Sequence, residues 1–177
     1  SPEARVIEAV NTIRFREGRS FGYNTDAWGI AAALKEEGIA FRKASVVVLG
    51  AGGAARAIVA QAILDGAAAV TIVNRTVERA ERLLTQVLEN CRKLEPHNQP
   101  HPYPRCQVIG YDDVRAALAS ADILINATSV GLKEDDHLPF DAGWIHQQTF
   151  VYDTIYNPPQ TRLLIEAKKS GCAKTVN

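Results

Sequence analysis

An α/β fold on a single parallel sheet is what the sequence predicts, and three observations lead there. Short β-branched runs, such as Ser45–Leu49 and Ala69–Val73, alternate along the chain with helix-length amphipathic stretches. Gly38 and Gly66 stand where helices between such runs would close. A cluster of glycines joins the first buried run to the helix behind it. Strands that alternate with helices pair in parallel through right-handed crossovers, so the expected architecture is a Rossmann-type doubly wound parallel sheet with helices on both faces.

The elements follow in order. Residues 10–15 alternate apolar and polar side chains, Glu17-Gly18 offers a turn, and residues 20–23 resume the extended pattern, which predicts a hairpin. Thr25 or Asp26 is placed to cap a helix over 27–37. After the strand 45–49 come a helix over 54–65, a strand at 69–73 and a long helix over 77–93. The Pro/His stretch 96–104 reads as a surface insertion. Beyond it the pattern predicts a strand at 107–109, a helix at 112–119, a strand at 122–126 and a loop to 148. A strand at 150–154, a helix at 161–170 and a strand at 173–176 complete the reading.

Composition narrows the function. Twenty basic residues balance twenty acidic ones, so no global field recruits nucleic acid or an anionic membrane. No apolar run approaches the roughly 20 residues of a membrane span, and no basic segment followed by an apolar stretch opens the chain. Three scattered cysteines, Cys91, Cys106 and Cys172, read as reduced thiols of a cytoplasmic protein. Cys91, His97, His101 and Cys106 could in principle ligate zinc, but prolines interrupt the segment and no close cysteine pair is present, so no metal site is expected.

The chemistry begins at Gly50-Ala51-Gly52-Gly53-Ala54-Ala55, a G-x-G-x-x-A turn between strand and helix. Gly50 permits the tight turn, Gly52 lets a pyrophosphate approach the backbone, and Ala55 lets the helix lie close to the strand. The free N–H groups at the helix start would hold the phosphates, through Gly50, Ala51, Gly52, Gly53 and Ala54. An NAD site places a carboxylate about 20 residues further on, at the end of the next strand. Here Asn74-Arg75-Thr76 stands in its place, with Arg79 a turn later. Arg75 can pair with a 2′-phosphate and lie on an adenine face, with Asn74 and Thr76 adding donors, so NADP is expected over NAD.

Three further segments are more specific: Ala9-Val10-Asn11-Thr12, Gly22-Tyr23-Asn24-Thr25-Asp26, and Asn126-Ala127-Thr128-Ser129-Val130-Gly131-Leu132. Together with the glycine turn, Asn74-Arg75-Thr76 and Asp153-Thr154-Ile155-Tyr156-Asn157-Pro158, their order closely resembles the shikimate dehydrogenase family from about Ala9 to Asn177. The resemblance implies an NADP(H)-dependent oxidoreductase that reversibly reduces 3-dehydroshikimate to shikimate in aromatic amino-acid biosynthesis. It makes Asn11 and Asp26 substrate residues, with Asp26 the acid/base partner of a lysine. It lays Thr128, Ser129 and Gly131 along the nicotinamide side of the cofactor and puts Tyr156 near the meeting of substrate and nicotinamide. Leu132 stands where a methionine is common, a change at the nicotinamide contact.

The resemblance also sets an expectation about extent. The chain has no methionine, even at its first position, and the family's lysine and its returning glutamine-bearing helix have no counterpart in it. Residues 1–25 are therefore expected to be a remnant of a substrate-binding domain, a hairpin, and 26–177 the NADP-binding domain. A fragment of that kind would bind cofactor without turnover. Alternatives are a quinate/shikimate dehydrogenase using NAD or NADP, which a carboxylate after Asn74-Arg75 would favour, and a non-catalytic NADP-binding module. Glutamyl-tRNA reductase shares a glycine turn and an Asn-Arg-Thr segment but lacks the Asn24-Thr25-Asp26 motif.

Overall fold

The structure, a computed structural model, describes residues 1–94, 103–133, 135–172 and 174–177. It opens with a helix that the sequence pattern does not announce, α1 (Pro2–Ile7). Ser1 caps it, its Oγ accepting from the Ala4 amide at 3.3 Å, and Pro2 suits the first helical turn, where its missing N–H is no loss. Six residues cannot hold a helix alone; packing does so, through buried Val6 and Ile7. The expected hairpin follows as β1 (Thr12–Arg16) and β2 (Arg19–Tyr23), antiparallel. Glu17 and Gly18 both take positive φ (53° and 71°), the two-residue turn whose twist matches the strands.

Helix α2 (Asp26–Glu36) buries Ala27, Ile30 and Leu34, one stripe at helical spacing, and Gly38 closes it in left-handed backbone (φ 72°). From there the chain builds its sheet through β3 (Ser45–Leu49), α3 (Gly53–Leu64), β4 (Ala69–Val73), α4 (Val77–Leu94) and β5 (Arg105–Ile109). It returns through α5 (Val114–Ala119), β6 (Ile123–Asn126), β7 (Phe150–Asp153), α6 (Arg162–Lys169) and β8 (Thr175–Val176). All six strands are parallel, in the order β5-β4-β3-β6-β7-β8. That is the doubly wound order expected of a Rossmann sheet.

The inner strands β3, β4, β6 and β7 are mostly apolar because each buries two faces. Val46, Val48, Val70, Ile72, Ile123 and Ile125 pack with α1 to α4, whereas Val47, Leu49, Val73, Leu124 and Val151 pack with α5 and α6. The first face also holds α1. The Val6 carbonyl accepts from the buried Asn90 amide at 3.3 Å, and Arg56 binds the Ile7 carbonyl, Glu8 at 3.0 Å, and Gln86.

Some boundaries differ from the sequence reading. β5 starts at Arg105 rather than 107, because the Arg105 amide already joins the ladder on the Ala68 carbonyl at 3.1 Å, which needs no apolar side chain. The helix expected over 112–119 is a 3₁₀ turn, Tyr111–Asp113, leading into α5. β6 starts one residue late since the Asp122 carboxylate turns back to the Ser45 amide at 2.7 Å. A further 3₁₀ turn, Ala142–Trp144, interrupts the long loop, capped by Asp141 accepting from the Gly143 amide at 2.8 Å. α3 begins at Gly53, one residue early, and β7 ends at Asp153. Most of the Pro/His insertion, with His97 and His101, lies outside the described residues, as does Ala173. Among the described residues no helix is long and apolar enough to cross a membrane.

The packing of α1 is testable. Ile7 is 2% exposed within the sheet's core. Ile7→Ala should cost about 2–5 kcal/mol, a fall in melting temperature on the order of 10 °C for a chain this size. A melt unchanged within a degree would place α1 outside the cooperative unit.

Candidate functional site

Polar groups collect at one edge of this apolar sheet. β3 pairs with β4 on one side and β6 on the other, and the helices leave to opposite faces, so a crevice opens outside the carboxyl ends of β3 and β6. The register aligns Leu49 with Val73 and with Asn126, and Asn126 with Asp153, so the segments after these four strands share one rim.

The glycine turn leaves β3 at Gly50, whose φ of 106° is left-handed, and its amide donates to the Val73 carbonyl at 2.8 Å. A Cβ there would stand 2.8 Å from the Ala127 carbonyl and 2.9 Å from the Thr128 methyl. Gly52 and Gly53 are the reverse case: a Cβ on either meets nothing within 4 Å, so the space over the turn is open. Gly52 is the N-cap of α3, has no side chain to take the first amides, and no acid occupies the first turn. The positive end of α3 is therefore uncompensated and accessible, as a phosphate requires. Ala51 and Ala55 are buried beneath it, Ala54 half-buried.

Beside this turn, β4 ends and Asn74 folds its amide onto the Thr76 carbonyl at 2.7 Å, fixing the entry to α4. Arg75, Thr76 and Arg79 are exposed. Among the described residues neither arginine is in an ion pair. The Arg75 charge reaches Tyr111 at the end of β5: burial pushes that phenol up, and Arg75 pulls it back down. Two unneutralised guanidiniums next to a bare helix start suit a second phosphate.

On the other side, the segment after β6 is held by a buried network. Asn126 accepts from the Thr128 amide and hydroxyl at 3.0 and 2.7 Å and donates to the Val130 carbonyl at 3.0 Å. Its remaining amide hydrogen goes to Asp153 Oδ1 at 2.9 Å. Asp153 is fully buried and also accepts from the Ile155 amide at 3.0 Å and the Thr161 hydroxyl at 2.6 Å. Burial pushes its carboxyl above the usual range, and those three donors pull it back. Gly131 (φ 113°) tucks against Thr161, and Asp136 takes the Gly131 and Lys133 amides at 2.8 and 3.1 Å, which holds its carboxyl below the usual range. Ser129 and Leu132 are exposed on this loop. Sequence reasoning singled out Thr128, Ser129 and Gly131 but not the partners beneath them. The available signal was a carboxylate, Asp153, closing a strand otherwise buried on both faces.

The hairpin and α2 add a third patch. Asn11 donates to Asp26 Oδ1 at 2.8 Å and accepts from the Thr25 amide and hydroxyl at 3.0 and 3.2 Å. Neither Thr25 nor Asp26 serves as a side-chain cap as the sequence reading allowed: Thr25 is the N-cap residue but turns its hydroxyl to Asn11, and Asp26 is already helical. Among the described residues Asp26 Oδ2 and one hydrogen of the Asn11 amide keep no protein partner. The far end of α2 lies at the amino edge of the sheet, where Lys174 reaches the Glu37 carbonyl at 3.2 Å, so Asp26 is at the carboxyl edge with the glycine turn. Tyr156, just past β7 on the same edge, is 84% exposed.

The chain is similar in sequence and fold to known proteins. The sequence profile of a family described as shikimate / quinate 5-dehydrogenase matches residues 31–133. A shikimate dehydrogenase (NADP(+)) of Symbiobacterium thermophilum is 42% identical over 179 residues, all of this chain and 58% of the relative. A crystal structure of shikimate 5-dehydrogenase from Listeria monocytogenes, in complex with shikimate and NAD, superposes with a TM-score of 0.85 at 34% identity, over 100% of this chain and 60% of that one. A 5-ketofructose reductase of Gluconobacter sp. strain CHM43 gives 0.79 at 38% identity, over 99% and 59%. The chain thus spans somewhat under two thirds of the length of these relatives.

The two kinds of glycine in the turn should separate in experiment. Gly50→Ala forces a side chain into left-handed backbone and against Ala127, and should cost more than about 1–2 kcal/mol in a denaturant melt. Gly52→Val should fold within about 1 kcal/mol of the parent yet lose binding of a dinucleotide in calorimetry. Undiminished binding by a well-folded Gly52→Val protein would move the phosphates elsewhere.

Proposed function

Because the chain belongs to the shikimate / quinate 5-dehydrogenase family, we propose that it is the NADP-binding part of a cytoplasmic shikimate dehydrogenase, one that reversibly reduces 3-dehydroshikimate to shikimate. The observation that carries this reading beyond nucleotide binding is the Asn11–Asp26 pair. It offers a free carboxylate oxygen next to a free amide hydrogen at the rim of the crevice, an acceptor and a donor for neighbouring hydroxyls of a polyol ring. The relatives favour this substrate class, although the ketofructose reductase shows that the same frame accepts another carbonyl compound.

The nucleotide would lie across the crevice. The amides at Gly52, Gly53 and Ala54 hold its pyrophosphate, with Gly50 and Ala51 shaping the turn. Arg75 and Arg79 pair with the 2′-phosphate while Thr76 donates to it and Asn74 keeps the turn in shape. Held so, the adenine half would lie toward β4 and β5, and Thr128, Ser129 and Gly131 would hold the nicotinamide half toward β6 and β7. Bound there, NADPH supplies the hydride for ketone reduction. Asp26 and Asn11 orient the carbon that receives it, and Tyr156 closes the site from the β7 side. Asp26 shares the carbinol proton with a lysine of the substrate domain, to which the hairpin in residues 1–25 belongs.

Two outcomes test this. Loss of a charge-assisted phosphate contact is worth about 1.5–3 kcal/mol, so the chain should bind NADP tighter than NAD by roughly tenfold or more, and Arg75→Ala should narrow the gap. Equal affinities in the parent would remove the NADP assignment. In the full-length enzyme Asp26→Asn should lower turnover of shikimate about 10²–10⁴-fold with NADP affinity unchanged. The 177-residue chain alone should bind NADP and form no NADPH from shikimate. A fully active Asp26→Asn enzyme would reduce Asp26 to a structural residue.

A further inference from the structure

The network beneath the β6 loop has more connections than holding a loop on the surface requires. Its only ionisable member, Asp153, accepts three donors and faces no basic side chain among its hydrogen-bond partners. Its two oxygens point to different destinations. Oδ1 fixes the Asn126 amide, which in turn sets both ends of the segment 128–130. Oδ2 takes the Thr161 hydroxyl, which also accepts from the Leu164 amide at 3.4 Å as the N-cap of α6 and lies against Gly131. Every polar atom of the Asn126 side chain is used, so its orientation admits no amide flip: turned over, it would set its NH₂ against the Thr128 amide and its oxygen against the Asp153 carboxylate.

We infer that Asp153, through Asn126 on one side and Thr161 on the other, is a positioning residue that sets the loop Thr128–Gly131 to the nicotinamide half of the cofactor and leaves the adenine half alone. The sheet order supplies the asymmetry. Arg75 follows β4 on one side of β3, whereas Asn126 and Asp153 end β6 and β7 on the other. A displacement of the loop is therefore felt at one end of a ligand that spans the crevice. The inference rests on the NADP reading above, and its test separates the two.

The probes are NADP⁺ and adenosine 2′,5′-bisphosphate, which carries the adenine and 2′-phosphate without nicotinamide, each titrated calorimetrically into the 177-residue chain. Thr161→Val keeps the shape against Gly131 but removes the hydroxyl; Thr161→Ser restores it. Thr161→Val should bind NADP⁺ about tenfold more weakly and the bisphosphate within twofold of the parent, with Thr161→Ser near the parent for both. Equal affinity for NADP⁺ in Thr161→Val and parent overturns the inference. So does a parallel loss for both probes, or a Thr161→Ser protein that behaves like Thr161→Val, since general loosening of α6 would give either. Should Thr161→Val not fold, Asp153→Asn, which keeps the size but takes one acceptor from the three donors, should show the same selective loss. A parent chain that binds neither probe would instead overturn the NADP reading itself.

Discussion

Gly50 and Ala127 approach each other closely at the rim, and the crevice is built around that contact. A side chain at residue 50 would sit 2.8 Å from the Ala127 carbonyl, so only glycine lets the two strand ends come this near. β3 and β6 are hydrogen-bonded up to this point, the Ala127 amide donating to the Leu49 carbonyl at 2.9 Å. Beyond it the two segments part, one into α3 and the other into the loop over Asn126. The width of the cleft at its floor is thus a backbone distance, fixed by the sheet rather than by adaptable side chains.

What stands on that floor divides by chemistry. To one side are unneutralised positive groups: the bare start of α3, Arg75 and Arg79. To the other is a neutral loop tied down by a buried carboxylate. The inner strands below contribute little polarity, burying Val46, Val48, Val70 and Ile72 on one face and Val47, Leu49 and Val73 on the other. Of the buried polar groups, Asn24, Asn126, Asp153 and Thr161 lie near the rim, and each is hydrogen-bonded, which makes their burial tolerable in a low-dielectric surround. A site assembled this way is rigid where phosphates and nicotinamide would be held. The hairpin, with Ile13 and Phe15 exposed, still presents an uncovered apolar face.

The sheet was legible in the sequence because burial on two faces leaves a mark that needs no partner: Ser45–Leu49 and Ala69–Val73 could hardly be anything but inner strands. The glycine turn was legible for a related reason, that its steric needs are local. α1 was not, because its helicity comes from Val6 and Ile7 docking on α3 and α4, and six residues carry too little periodicity to betray it. The start of β5 was hidden since Arg105 and Gln107 belong to an edge strand whose ladder is written in the backbone. The pairing of Asn11 with Asp26 crosses fifteen residues and a hairpin, so sequence could name both residues but not their contact. The Asn126–Asp153–Thr161 network joins three segments, so the sequence could show Asp153 closing a buried strand but not the partners it holds.

On the proposed reading, this rim takes NADP with its 2′-phosphate at Arg75 and its nicotinamide over the β6 loop. A crystal structure of the chain grown with NADP⁺ decides it. The expected density has the pyrophosphate on the amides at the start of α3, the 2′-phosphate within hydrogen-bonding distance of the Arg75 guanidinium, and the nicotinamide ring against Thr128–Gly131. A dinucleotide bound the other way round, or with its 2′-phosphate away from Arg75, would contradict it.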